Sequence, residues 1–202
     1  MFSWPTWSRF KTYLVLCLQL NLLFCVIYGL TNWWAMQAPV KYQFWMNWEL
    51  QIPFIPGMIL VYFSLNLLTV LPLFFLEEKE LQALGRAMLW ATVIAGVVFA
   101  LFPAPMAEGQ LPLPSGWEGL YTLLYTLDSP GNTLPSLHVT YSWMVVMPII
   151  YKWPRLRVPF LLWMLGICAS VLLTKQHYTA DIVTGLLLGT TMLYWKYLPR
   201  VS

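Results

Sequence analysis

Charge is what this chain has least of. Only 9% of its 202 residues are Asp, Glu, Lys or Arg, against roughly a quarter in a typical soluble domain, which excludes an ordinary water-soluble globule. Cysteine and histidine are scarce as well, with three and two copies. Cys17, Cys25 and Cys168 all sit in apolar stretches with no metal-ligand spacing, so they read as small buried hydrophobes and not as a zinc site or a disulfide framework. There is no internal repeat, no low-complexity tract and no composition shift that would divide the chain, so a single domain over 1–202 is expected. A basic stripe is missing too, and the net charge of +3 does not argue for nucleic acid.

What is abundant is apolar surface: 59% of residues are hydrophobic and 17% aromatic. The uncharged intervals Lys11 to Lys41, Glu49 to Glu77 and Arg86 to Glu108 each exceed the roughly 20 residues that a hydrocarbon core of about 30 Å requires. Three later runs, Val139 to Tyr151, Val158 to Thr174 and Ile182 to Trp195, are shorter. The fourth and sixth helices reach spanning length only by starting near Leu134 and Tyr178, which puts His138 and Asp181 in their first turns. The expected fold is therefore an all-α integral membrane protein, a six-transmembrane-helix bundle with spans near 12–30, 53–76, 87–104, 134–152, 158–174 and 178–197.

Lysine and arginine orient it. Arg9, Lys11, Lys79, Arg86, Lys152, Arg155, Arg157, Lys196 and Arg200 fall on one side and only Lys41 and Lys175 on the other, so both termini are expected in the cytoplasm. Arg9 and Lys11 resemble a signal-peptide start, but the apolar stretch is long and no small-x-small cleavage site follows, so the first span is kept. Two outer connections stand out. Residues 31–52 carry Trp33, Trp34, Trp45 and Trp48, suited to the headgroup layer. Residues 105–133, rich in Pro and Gly, are long enough to wall a site. In that connection Asp128 and Asn132 read as turn formers, and Glu49 and Glu108 border the outer side without an assigned task. Within the spans, Gln19, Asn21 and Asn66 read as interhelical hydrogen-bonders.

The six-span topology brings His138 and His177 to one membrane face. His177 and Asp181 are four residues apart, so on a helix extending back to His177 they share a face, and the carboxylate fixes the imidazole tautomer and balances its cation. In "NTLPSLHVT", residues 132–140, Pro135 suits a helix start and Ser136 an N-cap. The free amides of that first turn, Leu137 among them, with the Ser136 hydroxyl and His138, form an anion site. Lys175 adds a cation beside His177 or, equally, snorkels to the interface. Two other readings stay open: a bis-histidine haem b protein, and a noncatalytic lipid-binding or lipid-translocating protein.

"PSLH" at 135–138 and "HYTAD" at 177–181 resemble the second and third motifs of the type 2 phosphatidic acid phosphatase superfamily, in the form found in the branch with inositol-phosphorylceramide synthases and, more distantly, sphingomyelin synthases. "DSPGNTLPSLHV" at 128–139 and "ELQIPFIPGMILVY" at 49–62 are also similar to that branch, so the likeness runs over roughly 49–190. It implies a lipid phosphate phosphatase or phosphotransferase: His177 the nucleophile on phosphorus, Asp181 its orienting partner, His138 the acid that protonates the leaving alkoxide, and Ser136, Leu137 and Lys175 around the phosphate. No metal or cofactor is implied. Partners would be membrane lipids and a lipid phosphate, diphosphate or phosphodiester substrate, with the site facing the periplasm of a bacterial inner membrane or the lumen of an internal eukaryotic one.

The first motif departs from the pattern. "KELQALGRA" at 79–87 has Ala87 where the family has Pro, and the topology puts Lys79 and Arg86 a membrane thickness away from the histidines. Ser170 is followed by Val171 in place of the Arg that usually opens the third motif. An outer pocket so short of cations suits a phosphodiester, with one charge, better than a monoester carrying roughly −1.5 to −2.

Overall fold

The computed structural model describes residues 4–128 and 131–201. Among them no strand forms, and the extended chain makes one isolated bridge, Ala104 to Asn132. The helices are α1 Trp7–Gln37, α2 Ile59–Val70, α3 Glu78–Leu101, α4 Glu118–Leu127, α5 Leu137–Lys152, α6 Arg157–Leu173 and α7 Thr179–Met192. Short 3-10 turns lead into α2 and α6, a four-residue helix Pro72–Phe75 extends α2 past Pro72, and a π-turn continues α7. Four helical stretches are long and apolar enough to cross a membrane: Trp7–Gln37, Pro56–Phe75, Glu78–Leu101 and Pro154–Leu173. This is the composition of a membrane protein.

The ends of α5 and α6, and of the stretch Pro56–Phe75 that contains α2, fall close to the expected spans. Helices α1 and α3 start earlier than expected, and α1 also runs further, because polar ends do not stop a helix. Thr6 caps α1 by accepting from the Arg9 amide at 3.3 Å, and α1 carries Trp33 and Trp34 in its last turns instead of in a loop. Glu77 and Glu80 form a capping box that starts α3, nine residues before the expected boundary. The outer connection 105–133 contains a helix, α4, whose Tyr121 and Leu124 are buried at helical spacing. Ser129 and Pro130 of that connection lie outside the described residues.

Lipid tails are as apolar as leucine, so helix association here depends on close packing. Helix α1 lies along α3. A Cβ on Gly85 would meet the Leu16 side chain at 2.6 Å, and one on Gly96 would meet Ile27 at 2.3 Å. Both partner residues advance by about three turns in the same direction, so α1 and α3 run parallel. At the end of α3 remote from the histidines, Lys152 pairs with Glu80 at 2.6 Å and Glu77 at 3.2 Å. Asn21 and Asn66, expected to bridge helices, instead donate to their own backbones, at Cys17 and Phe63.

A methyl at Gly96 has nowhere to go unless Ile27 yields. Gly96→Ala is expected to cost about 1–3 kcal/mol through overpacking, seen as a lower unfolding temperature in detergent, and Ile27→Ala in the same chain should restore part of the loss.

Candidate active site

Helix α5 places His138 as its second residue. Ser136, fully buried, is the N-cap: its Oγ accepts from Val139 N at 3.4 Å. Its own N–H donates to the Asp181 carbonyl at 3.1 Å, which ties the start of α5 to the start of α7. Thr140 Oγ1 bridges the same two helices, contacting the Ser136 carbonyl at 2.8 Å and the Gly185 carbonyl at 3.1 Å. The helices meet this closely because Gly185 has no side chain; a Cβ there would lie 2.7 Å from the Ser136 oxygen.

The His177 segment is built from the end of α6. Gln176 N donates to Val171 O and Lys175 N to Leu172 O, both at 3.0 Å. That is the Schellman pattern, with Lys175 at the left-handed position, φ 60°, where glycine is usual. The Lys175 side chain is held there: Nζ donates to Leu50 O at 2.9 Å and pairs with Glu108 at 3.3 Å. Two residues on, Tyr178 is the N-cap of α7. His177 therefore precedes the helix, and the expected extension of α7 back to it does not form. Its approach to Asp181 depends on the cap instead: Asp181 Oδ2 accepts from Tyr178 N at 2.9 Å and lies 3.4 Å from His177 Nδ1. That second contact lacks hydrogen-bond geometry and leaves Nδ1 unpartnered, as catalytic pairs often are before substrate arrives. Glu49, 1% exposed, closes the α7 start from outside by accepting from Thr179 N at 2.6 Å and from Met46 N at 2.7 Å.

His138 and His177 border one cavity of about 420 Å³, together with Leu137, Asp128, Tyr28 and Tyr62. His138 lies against the Tyr62 ring with centroids 3.9 Å apart, and its Nε2 is buried without a partner. Asp181 stands behind His177, fully buried. Of the residues expected around a phosphate, Leu137 reaches the cavity wall, Ser136 is engaged as a cap, and the Lys175 ammonium is engaged with Leu50 and Glu108. Lys79 and Arg86 are exposed near the far end of α3; by helical rise Arg86 is about 22 Å from the end of α3 near the histidines.

Asp128, read from the sequence as a turn former, lines the cavity with the histidines. Its carboxylate accepts from the Tyr28 hydroxyl and, at 3.0 Å, from the Tyr62 hydroxyl. Burial pushes its pKa above the ordinary carboxylate value, while the Tyr28 hydrogen bond, the nearby His177 and the Tyr62 hydrogen bond pull it back. A carboxylate in the stretch leading into "PSLH" and tyrosines inside two apolar spans were the available signals. The loop is also clasped to α1 at Asn32, which accepts from Gly131 N at 3.1 Å, and at Thr31, whose hydroxyl meets the Asn132 amide at 2.8 Å.

A family model described as the PAP2 superfamily matches residues 58–195, a span that contains both histidines and Asp181. The chain belongs to the PAP2 superfamily. No curated protein and no solved structure matches it. PAP2 membership suggests chemistry of the phosphatase or phosphotransferase type.

Removing the Glu49 carboxylate takes the acceptor from two part-buried N–H donors, those of Thr179 and Met46, and a hydrogen bond to a charged group is worth about 1.5–3 kcal/mol. Glu49→Ala is expected to lower the unfolding temperature by several degrees, and Glu49→Gln, which keeps one acceptor oxygen, to lose less.

Proposed function

We propose that this PAP2 protein is a membrane-embedded lipid phosphate phosphatase or phosphotransferase that works through a phosphohistidine on His177. The observation that carries the reading is the shared cavity. His138 and His177 meet in it with Asp181 behind, and from there it continues as an apolar groove along the bundle.

The chemistry follows from the ring atoms. His177 turns Nδ1 toward Asp181, so Nε2 is the attacking atom. As its lone pair forms the N–P bond, the P–O bond to the alcohol breaks, and the leaving oxygen takes a proton from His138 Nε2. Asp181 balances the charge that grows on the His177 ring. Water or an alcohol then attacks phosphorus, gives its proton back to His138, and the N–P bond breaks to restore His177.

The groove supports a lipid substrate. Leu81 and Phe99 both line it and lie about 27 Å apart by helical rise, close to the hydrocarbon thickness of a bilayer. Its exposed lips are Asn21 and Cys25 on α1 and Asn66 on α2, whose asparagine amides are turned onto their own helices. Helix α1 packs along α3 and makes no comparable contact with α2, so a chain has a way in from the side.

The same reading has six spans, cytoplasmic termini, and the histidine end facing the periplasm or a lumen. Its support is that Lys79, Arg86, Lys152, Arg155, Arg157, Lys196 and Arg200 all sit at or toward the helix ends remote from the histidines. A specific observation also favours a phosphodiester donor. The cation nearest His177 in the chain, Lys175, is already paired with Glu108, and Asp128 adds negative charge beside the histidines, an unwelcoming place for a dianion.

Purified protein in mixed micelles, with phosphatidic acid, a prenyl diphosphate, phosphatidylinositol and phosphatidylcholine and with or without a lipid alcohol, decides among these. Free phosphate and new lipid species are followed. Turnover is expected to vanish in His177→Ala and fall about 10²- to 10⁴-fold in His138→Ala, with an acid-labile, alkali-stable phosphoryl label on the wild type alone. Equal turnover of phosphatidic acid and the diesters would remove the phosphodiester preference. Silence on every lipid, or a Soret band in the pure protein, would overturn the enzyme.

A further inference from the structure

Asp128 has no part in the phosphoryl chemistry above, yet it borders the same cavity as both histidines. Two tyrosine hydroxyls hold its side chain from different helices, Tyr28 on α1 and Tyr62 on α2. A carboxylate offers about four acceptor positions, and these two hydroxyls take one on each oxygen. The remaining capacity lies at a wall of the cavity. Tyr62 fixes where that is: its hydroxyl is on Asp128 while its ring lies over His138. The carboxylate therefore sits one tyrosine away from the imidazole that serves the alcohol oxygen.

The groove starts at this same collar. Below it the walls include Leu20 and Phe24 on α1, Leu65 on α2, and Leu84 and Met88 on α3, and the polar side chains of Asn21, Asn66, Thr69 and Tyr141 that also line it are hydrogen-bonded within the bundle. A lipid alcohol lying in the groove with its reacting oxygen at His138 thus meets one charged acceptor, Asp128. A second donor on that alcohol, next to the reacting oxygen, has this carboxylate to bond; a lipid with an ester in that place sets oxygen against oxygen.

Resting on the proposed phosphatase or phosphotransferase reading, we propose that Asp128, held by Tyr28 and Tyr62, is a recognition site for a second hydrogen-bond donor, a hydroxyl or an amide N–H, on the lipid alcohol that leaves or attacks at His138.

The test is binding, which does not require turnover. The full-length protein in detergent is titrated with a monoacylglycerol, which offers a second hydroxyl, a ceramide, which offers an amide N–H and a second hydroxyl, and a diacylglycerol with matched chains, which offers neither. Intrinsic tryptophan fluorescence and thermal shift follow the titration. Wild type is expected to bind one or both of the first two at least about tenfold more tightly than the third, and whichever does identifies the donor. Asp128→Asn should bring the three affinities together, whereas a purely structural loss would weaken all three in proportion. Equal affinities in the wild type would overturn the proposal even if the variant fails to fold, and so would undiminished selectivity in a folded Asp128→Asn. Selective binding without turnover on any lipid would uphold this site and overturn the enzymatic reading alone.

Discussion

The join between α5 and α7 decides whether the two histidines face each other. Each motif sits at a helix start, and a helix start brings unsatisfied N–H groups into a bundle with little water to take them. Each start borrows its acceptors from elsewhere. The Asp181 backbone accepts from Ser136, the Asp181 side chain accepts from Tyr178, and Glu49 reaches in from another connection to take Thr179. The same contacts that make these ends tolerable hold His138 opposite His177, so stability and site geometry share one set of bonds. The absence of a side chain at Gly185 is what lets the two backbones touch.

Asp181 shows how little polar material the arrangement uses. One carboxylate oxygen caps a helix and faces an imidazole, and the side chain is wholly enclosed. Burying a carboxylate is costly unless it is paired or hydrogen-bonded. Cap and histidine together account for its presence at the mouth of an apolar run. Lys175 illustrates the converse. Its left-handed backbone costs roughly 1–2 kcal/mol and turns the chain sharply between α6 and His177, while its long side chain lies in the crease and neutralises Glu108.

Much of this was legible in the sequence, and what was not has identifiable causes. Helices α5 and α6 end near the edges of their apolar runs because Pro, Trp and charged residues bracket them, and the stretch Pro56–Phe75 around α2 stops just short of Glu77. For α1 and α3, charge indicates where hydrocarbon is avoided and says nothing of where backbone hydrogen bonding ceases, so both helices run beyond their apolar cores. The histidine and aspartate positions could be read from spacing and order alone. Their mechanism of approach could not: a four-residue spacing is the same on a helix face and across a cap, and only the backbone distinguishes them. Lys175 hid the α6 turn because no glycine marks it. Asp128 hid because Asp-Ser-Pro-Gly is the composition of a surface turn, and its tyrosine partners come from helices 66 and 100 residues away in the chain.

Under the proposed lipid reading, the gap between α1 and α2 changes what concentration means for this protein. A substrate arriving sideways never passes through bulk water, so the quantity that sets occupancy is its mole fraction in the surrounding membrane. Diluting the aqueous phase leaves that fraction untouched, while adding inert lipid lowers it. On that reading the protein would respond to the composition of its own bilayer, and the two-dimensional crowding of competing lipids at the Asn21 and Asn66 lips would govern how often the histidines are occupied.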